Sequence, residues 1–199
     1  MTDTSTLHLS TPEVSGSDPS VTGNSLDERT RWRRYADALA GQAPARAPMS
    51  TVAVMTVCGV AVMLLLVALG VLLHQPLLIP PLAASAALVF AAPALPLAQP
   101  RSVIGGQLIS AALGLGAVAV GGSSLWTAAV AAGLTIGAMA WARTPHSPAA
   151  ATAVIVVLTN PEPWHFLGLL TLATLVIVAM GALIGRVDRV KHRYPVYWW

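Results

Sequence analysis

Charged side chains are almost missing from the central part of this sequence. Only 10% of its 199 residues are Asp, Glu, Lys or Arg, against about 25% in an average soluble domain. No charged residue occurs at positions 47–100, 102–142 or 163–185. Hydrophobic residues make up 55% of the chain, and the mean hydropathy is +0.69. A soluble domain of this size needs a more polar surface, so the composition predicts a polytopic membrane protein.

Residues typical of metal centres and catalytic sites are also scarce. The single cysteine, Cys58, lies in an apolar run and has no partner for an internal disulfide. The five histidines are scattered, without the H-x-x-x-H or C-x-x-C spacing of a metal site. No nucleophile elbow or phosphate-binding loop is present. We therefore predict no metal, no cofactor and no enzyme activity, with a membrane enzyme whose site is hidden among scattered His and Ser residues as the weakest alternative.

Basic residues flank the apolar runs, where they act as topology signals. Despite a pI of about 9.6, we therefore predict no nucleic-acid partner. Residues 1–48 are predicted to form a cytoplasmic arm, with disorder over the Ser-, Thr-, Gly- and Pro-rich positions 1–26. Residues 29–35 are basic and contain two aromatics. They favour a juxtamembrane segment on anionic lipids, with a regulatory lipid site as the alternative.

Six apolar runs follow the arm. Four long ones are Thr51–Leu73, Val103–Val120, Leu125–Ala142 and Trp164–Gly185, and two short ones are Leu77–Ala92 and Ser147–Leu158. A spanning helix needs roughly 20 residues. We predict an all-α membrane helix bundle over residues 49–186, with four long spans and two short Pro-initiated helices that are broken or re-entrant. Residues 187–199 form a basic, aromatic tail.

The positions of the basic residues favour a particular topology. If all six segments cross and the N-terminus is cytoplasmic, every Lys and Arg lies inside, as the positive-inside rule expects. With four crossings, Arg101 moves outside. We therefore favour six crossings in the cell membrane with both termini cytoplasmic, although re-entrant short helices are an alternative.

An internal repeat links residues 51–120 to residues 125–186. A shift of 67 positions aligns Pro81 with Pro148 and Ser85 with Thr152, together with four matching Ala or Val positions. Each copy is a long run, a Pro-broken short run and another long run. Three crossings per copy make the second start from the opposite side, so the repeat is predicted to be inverted.

The two short helices are the predicted substrate site. Proline fits the first turn of a helix, and the unpaired N–H groups and dipole there favour an anion by about 0.3–1 kcal/mol. The predicted ligand residues begin or line these helices: Pro81, Ser85, His146, Ser147, Pro148 and Thr152. A neutral His146 ring can donate to a ligand, and a protonated ring adds charge. Alternatively, His146 is a loop histidine, and Pro and Ala only permit tight packing.

Two further features of the sequence, Arg101 and a pair of glycine patterns, each have two interpretations. Arg101 either signals topology or attracts anions at the inner mouth. Gly133–Gly137 and Gly181–Gly185 are G-x-x-x-G patterns, which serve either packing within the bundle or a homo-oligomer.

Over about Thr51 to Trp199 the chain resembles the HPP family of integral membrane proteins. The resemblance rests on the segments Phe90–Pro93, Pro96–Gly106 and Thr144–Thr152. It implies a small protein usually described with four spans and a role in transport, since plant members are linked to nitrite movement in plastids. The family's His-Pro-Pro motif reads His146-Ser147-Pro148 here, and Gln107 replaces a residue that is often His. The ligand role that we assign to Gln107 is our inference.

Two functions follow as expectations. The first is a transporter or channel for a small inorganic anion such as nitrite, with membrane lipids as its surroundings. The second is a non-transporting membrane scaffold or sensor that acts through its basic arm.

Overall fold

The computed structural model describes residues 28–36, 46–186 and 193–198, which contain helices and no strand. The chain divides into two units, Met1–Arg46 and Ala47–Trp199. In the first, residues 28–36 form helix α1, whose Trp32 and Tyr35 rings lie 6.1 Å apart. The predicted disorder of residues 1–26 and the basic residues of the tail at 187–192 lie outside the described residues.

Six further helices form the second unit. They are α2 (Met49–Leu73), α3 (Pro80–Ala91), α4 (Pro100–Gly121), α5 (Leu125–Trp141), α6 (Ser147–Thr159) and α7 (Pro163–Gly185), with a 3-10 turn at Pro96–Ala98 between α3 and α4. The ends predicted from the apolar runs differ from these by three residues or fewer. The all-helical membrane fold is therefore confirmed.

Helix length separates three of these helices from the rest. Helices α2, α4 and α7 have 25, 22 and 23 residues and are long and apolar enough to span a membrane. Helix α5, which we predicted as a long span, has only 17 residues, and α3 and α6 have 12 and 13. The predicted count of four long spans is therefore not confirmed.

Local sequence accounts for the helix ends. A proline lies in the first turn of α3, α4, α6 and α7, where its missing N–H costs no helical hydrogen bond. The Ser124 hydroxyl accepts from the Thr127 N–H at 3.1 Å at the start of α5, and the Glu162 carboxylate accepts from the Trp164 N–H at 3.1 Å at the start of α7. His74 and Asn160 end α2 and α6 in the left-handed conformation.

The packing partners of helices α2–α4 correspond to those of helices α5–α7. Helix α2 packs on α3 and α7, and α5 packs correspondingly on α6 and α4. Helix α4 packs on α6, and α7 packs on α3. The two remaining pairs, α3 with α6 and α4 with α7, join counterparts. Exchanging the two triplets therefore leaves the set of helix pairs unchanged.

Two close glycine contacts are also related by the exchange of α2–α4 with α5–α7. A Cβ on Gly114 would lie 3.0 Å from Val156 on α6, and a Cβ on Gly181 would lie 2.5 Å from Val89 on α3. Gly181 lies 67 positions after Gly114, and Val156 lies 67 positions after Val89. Each triplet thus uses a glycine of its third helix to approach a valine on the short helix of the other.

Contacts between loops define the two ends of the bundle. The Gln99 side-chain carbonyl accepts from the Val196 N–H at 2.9 Å, and the Arg101 guanidinium donates to the Ala142 carbonyl at 2.9 Å. These contacts place the α3–α4 loop, the α5–α6 loop and the tail at one end. At the other, the Ser123 hydroxyl of the α4–α5 turn donates to the Leu158 carbonyl at 3.4 Å.

The tail aromatics do not share one environment. Tyr194 is buried in the main apolar core beside Gly181, and burial raises the pKa of its phenol. Tyr197 and Trp198 are exposed, as expected of aromatics that anchor at an interface.

The two G-x-x-x-G patterns also differ. Gly181 packs against Val89 and Tyr194 within the chain, whereas Gly133 and Gly137 face open space. The pattern Gly181–Gly185 therefore serves packing within the bundle. The homo-oligomer expected as the alternative stays a prediction.

We predict that Gly181→Ala lowers the free energy of unfolding by about 1–3 kcal/mol, because the added methyl overlaps Val89. The measurement is thermal or SDS-induced unfolding of the purified protein in detergent.

Gly133→Ala is the matched control, since it adds a methyl to the same residue type in open space and should raise or preserve stability. The companion change Val89→Ala should recover part of the loss in Gly181→Ala. Equal stability of the two alanine variants would contradict this packing.

Candidate functional site

Four of the predicted ligand residues belong to one buried hydrogen-bonded network. Ser85, Gln107 and Thr152 have no exposed surface, and His146 is 1% exposed. They come from α3, α4, α6 and the residue that precedes α6. The structure therefore brings together side chains that lie up to 67 positions apart in the sequence.

His146 connects the α3–α4 loop to α3. Its Nδ1 lies 2.8 Å from the Leu97 carbonyl oxygen, and its Nε2 lies 2.8 Å from the Ser85 hydroxyl oxygen. The Ser85 oxygen also lies 2.7 Å from the Pro81 carbonyl oxygen of its own helix. The ring is thus held on both sides.

Gln107 lies between the two short helices. Its amide nitrogen donates to the Ser85 hydroxyl at 3.0 Å, and its amide oxygen accepts from the Thr152 hydroxyl. Ser85 and Thr152 are each the sixth residue of their helix and are aligned by the 67-residue shift. One amide therefore bridges the two equivalent hydroxyls of the repeat.

Glycines on α4 make room for this arrangement. A Cβ on Gly106 would lie 2.6 Å from the His146 Cβ, and a Cβ on Gly105 would lie 3.0 Å from the Thr144 methyl. Any larger residue at position 106 displaces the loop that carries His146. The close approach of this loop therefore explains why two glycines precede Gln107.

The other predicted site residues take different positions. Pro148 and Pro81 are buried in the first turns of α6 and α3. Ser147 is exposed and lies outside the network. Arg101, the second residue of α4, is partly buried and donates to the Ala142 carbonyl just after α5, so it joins the start of α4 to the α5–α6 loop.

Sequence reasoning missed Ser110. Its hydroxyl donates to the Ala149 carbonyl and accepts from the Ala153 N–H at 3.1 Å, so it links α4 to the first turns of α6. Ser110 follows Gln107 by three positions on α4, and residues at that spacing share a helix face. That spacing was the available signal.

One recess reaches the network. A cavity of about 340 Å³ is lined mostly by apolar groups from the 3-10 turn, α5 and the start of α6: Leu97, Ile136, Met139, Ala140, Pro145, His146, Ser147 and Ala150. A larger cavity of about 580 Å³ lies between α4 and α5 and is lined mostly by apolar side chains, with Trp126 and Thr127 as the lining residues that carry a polar group. The larger cavity suits an apolar occupant such as an acyl chain, so we place the candidate site at the smaller one.

The network has no acidic member. Positions 47–161 contain no Asp or Glu, and in the described part of the chain no three His, Cys, Asp or Glu side chains come together as metal ligands. Histidine, serine, threonine and amide groups can supply hydrogen-bond donors to an anion, and no carboxylate of these positions opposes its charge.

The sequence profile described as "HPP, transmembrane region" matches residues 44–195. The chain belongs to the HPP transmembrane family. Two relatives are transmembrane proteins of Dictyostelium discoideum. One is 33% identical over 124 residues, which cover 59% of this HPP chain and 40% of the relative. The other is 34% identical over 133 residues, which cover 63% and 47%.

The HPP chain thus spans less than half the length of these curated relatives. No solved structure matches it.

We predict that Ser85 and Gln107 are energetically coupled in this HPP protein. Ser85→Ala and Gln107→Leu should each destabilise it by about 1–3 kcal/mol, because each leaves a buried partner unpaired. The double variant should lose less than the sum of the two, by about 0.5–3 kcal/mol. The measurement is a double-mutant cycle of unfolding free energies, and additive losses would contradict the network.

Proposed function

We propose that this protein is a transporter or channel for a small inorganic anion such as nitrite and has no enzymatic activity. Its binding groups are Ser85, Gln107, His146 and Thr152. The observation that carries the proposal is the buried bridge from α3 through Gln107 to α6. Polar side chains are costly inside a membrane and mark functional positions there.

The chemistry of the bridge fits a small monovalent anion. Hydroxyl, amide and imidazole N–H groups can replace part of an anion's hydration shell, and no carboxylate repels it. In the present arrangement these groups bind one another. An anion therefore enters by taking donors from these internal bonds, which makes this an occluded conformation in the proposal.

An inverted repeat with six crossings is part of the proposal. It is supported by the exchangeable helix pairs and by the equivalent Gly114–Val156 and Gly181–Val89 contacts. Helix α6 begins at the end that holds Arg101 and finishes at the end that holds Ser123. A 13-residue helix is about 20 Å long, so extended residues at its ends would complete a crossing.

The remaining predicted residues are assigned to the entrance. Arg101 and exposed Ser147 lie near the end of the bundle where α5 finishes and α6 begins. The proposed orientation places this end, with both termini, on the cytoplasmic side of the cell membrane. A positive charge at a pore mouth attracts anions.

Uptake of nitrite into proteoliposomes tests the function. Thr152→Val should lower uptake about tenfold, because it removes a donor from the bridge at a cost of about 1.4 kcal/mol. Thr135→Val is the matched control: Thr135 is equally buried, but its hydroxyl binds the Ala131 carbonyl of its own helix. Its uptake should stay within about twofold of wild type, since no bridge donor is lost.

Absence of uptake above empty liposomes would contradict the proposal. Deletion of residues 1–45 distinguishes the transporter from the alternative function, a scaffold or sensor that acts through the basic arm. Transport should survive this deletion, whereas a function carried by the arm should not.

Cysteine labelling tests the topology. In a Cys58→Ser background, Ala94→Cys should be protected from a membrane-impermeant maleimide added outside, and Ser123→Cys should be labelled. Both positions are exposed. With four crossings and a cytoplasmic N-terminus the two results would be reversed.

A further inference from the structure

The contacts of His146 fix which of its nitrogens carries a proton. The Leu97 carbonyl can only accept a hydrogen bond, and it lies 2.8 Å from Nδ1. Nδ1 therefore carries the proton of the neutral ring. The Nε2 atom of that ring then has only a lone pair to offer to Ser85.

Ser85 has one proton and two neighbours that need it. The Pro81 carbonyl, 2.7 Å away, accepts only, and a neutral Nε2, 2.8 Å away, also accepts only. The Gln107 amide already donates to the same oxygen. If the Ser85 hydroxyl donates to one of these two neighbours, its contact with the other one joins two acceptor atoms with no proton between them.

One additional proton resolves this conflict. With a proton on Nε2, the ring donates to Ser85, Ser85 donates to Pro81, and the two lone pairs of the Ser85 oxygen accept from His146 and Gln107. We propose that His146 Nε2 is a proton-binding site whose occupancy is coupled to the anion, so that the protein moves the anion together with a proton. This inference rests on the function proposed above.

The charged side chains nearest to the His146 ring along the chain are positive, so the anion is the counter-ion of the protonated ring. Helix α3, the 3-10 turn and α6 carry no charged residue, and Arg101 on α4 and Arg143 in the α5–α6 loop are positive. Helix α7, which packs on α3 and α4, carries His165 near its start.

The tail and the far end of the bundle carry further charged residues. The tail that binds Gln99 brings Arg193. Among the described residues 46–186 and 193–198 the only Asp or Glu is Glu162, beyond the far end of α6, and Asp188 lies outside the described residues. A buried imidazolium without a carboxylate partner is costly. An anion in the recess beside His146 would neutralise it.

The step is balanced and reversible. The Nε2 lone pair takes up a proton from water as the anion enters, and the same proton leaves when the anion leaves. No covalent bond breaks, and no redox partner is required. A monovalent anion carried with one proton makes the cycle electrically neutral.

The test is a pH titration of the full-length protein labelled with 15N-histidine, by NMR in lipid or detergent, with sodium nitrite or with sodium gluconate. The ring signal of His146 is assigned by its loss in His146→Gln. We expect nitrite to raise the pH at which His146 is half protonated by about one unit or more, which is a tenfold linkage. Exposed His74 is the internal control and should titrate identically in both salts.

Ser85→Ala gives a second readout that a merely structural histidine would not move. Without the hydroxyl, the Nε2 proton loses its acceptor, so the nitrite-dependent shift should fall by at least half while His74 is unchanged. A shift of equal size in wild type and Ser85→Ala would overturn the assignment to this contact.

The outcomes separate this inference from the function on which it rests. If nitrite enters proteoliposomes but does not change the titration of His146, the transporter stands and the proton coupling is overturned. If nitrite shifts the titration without flux, the coupled site stands and transport fails. If His74 shifts equally, the effect is general and the inference is overturned.

Discussion

A polar side chain inside a membrane has to find its hydrogen-bond partners within the protein, because lipid offers none. In this chain that constraint falls on the amide of Gln107, which lies fully buried between Ser85 and Thr152. The bridge requires α3, α4 and α6 to meet at one level. Gly106 permits the close approach of the loop that carries His146. These contacts join the short helices, the loop and the recess at one place in the bundle.

The repeat explains why the bridge joins equivalent residues, and the loops explain why it is not symmetric. Ser85 and Thr152 are aligned by the 67-residue shift, but the residue aligned with His146 is Ile79. The two residues occupy the same place, immediately before α3 and α6. Of these two equivalent positions, only the one before α6 therefore carries a titratable ring. In the proposed function this difference gives the pathway a chemically distinct entrance on one side.

Much of the fold and part of the site are readable from the sequence. Charge-free runs and first-turn prolines predict the helices within three residues, and the shifted Pro81 and Pro148 lead to Ser85 and Thr152. The length of α5 was overestimated, because its apolar run continues to Ala142 while the helix ends at Trp141. The partners of Arg101 and Gln99 were not predictable, since each bond joins residues that are distant in sequence. Ser147 looked equivalent to the other hydroxyls, but only the backbone geometry shows that it faces outward.

The central claim is that the bridge between the two short helices binds an anion, and isotope-edited infrared difference spectroscopy tests it most directly. The purified protein would be exchanged between 14N-nitrite and 15N-nitrite, so that the protein bands cancel and only the bands of nitrite, bound and free, appear. The account predicts N–O stretching bands shifted from those of aqueous nitrite, because protein donors replace water, and the loss of these bands in Gln107→Leu but not in Thr135→Val. A spectrum that contains only the bands of aqueous nitrite, or shifted bands that persist in Gln107→Leu, would contradict it.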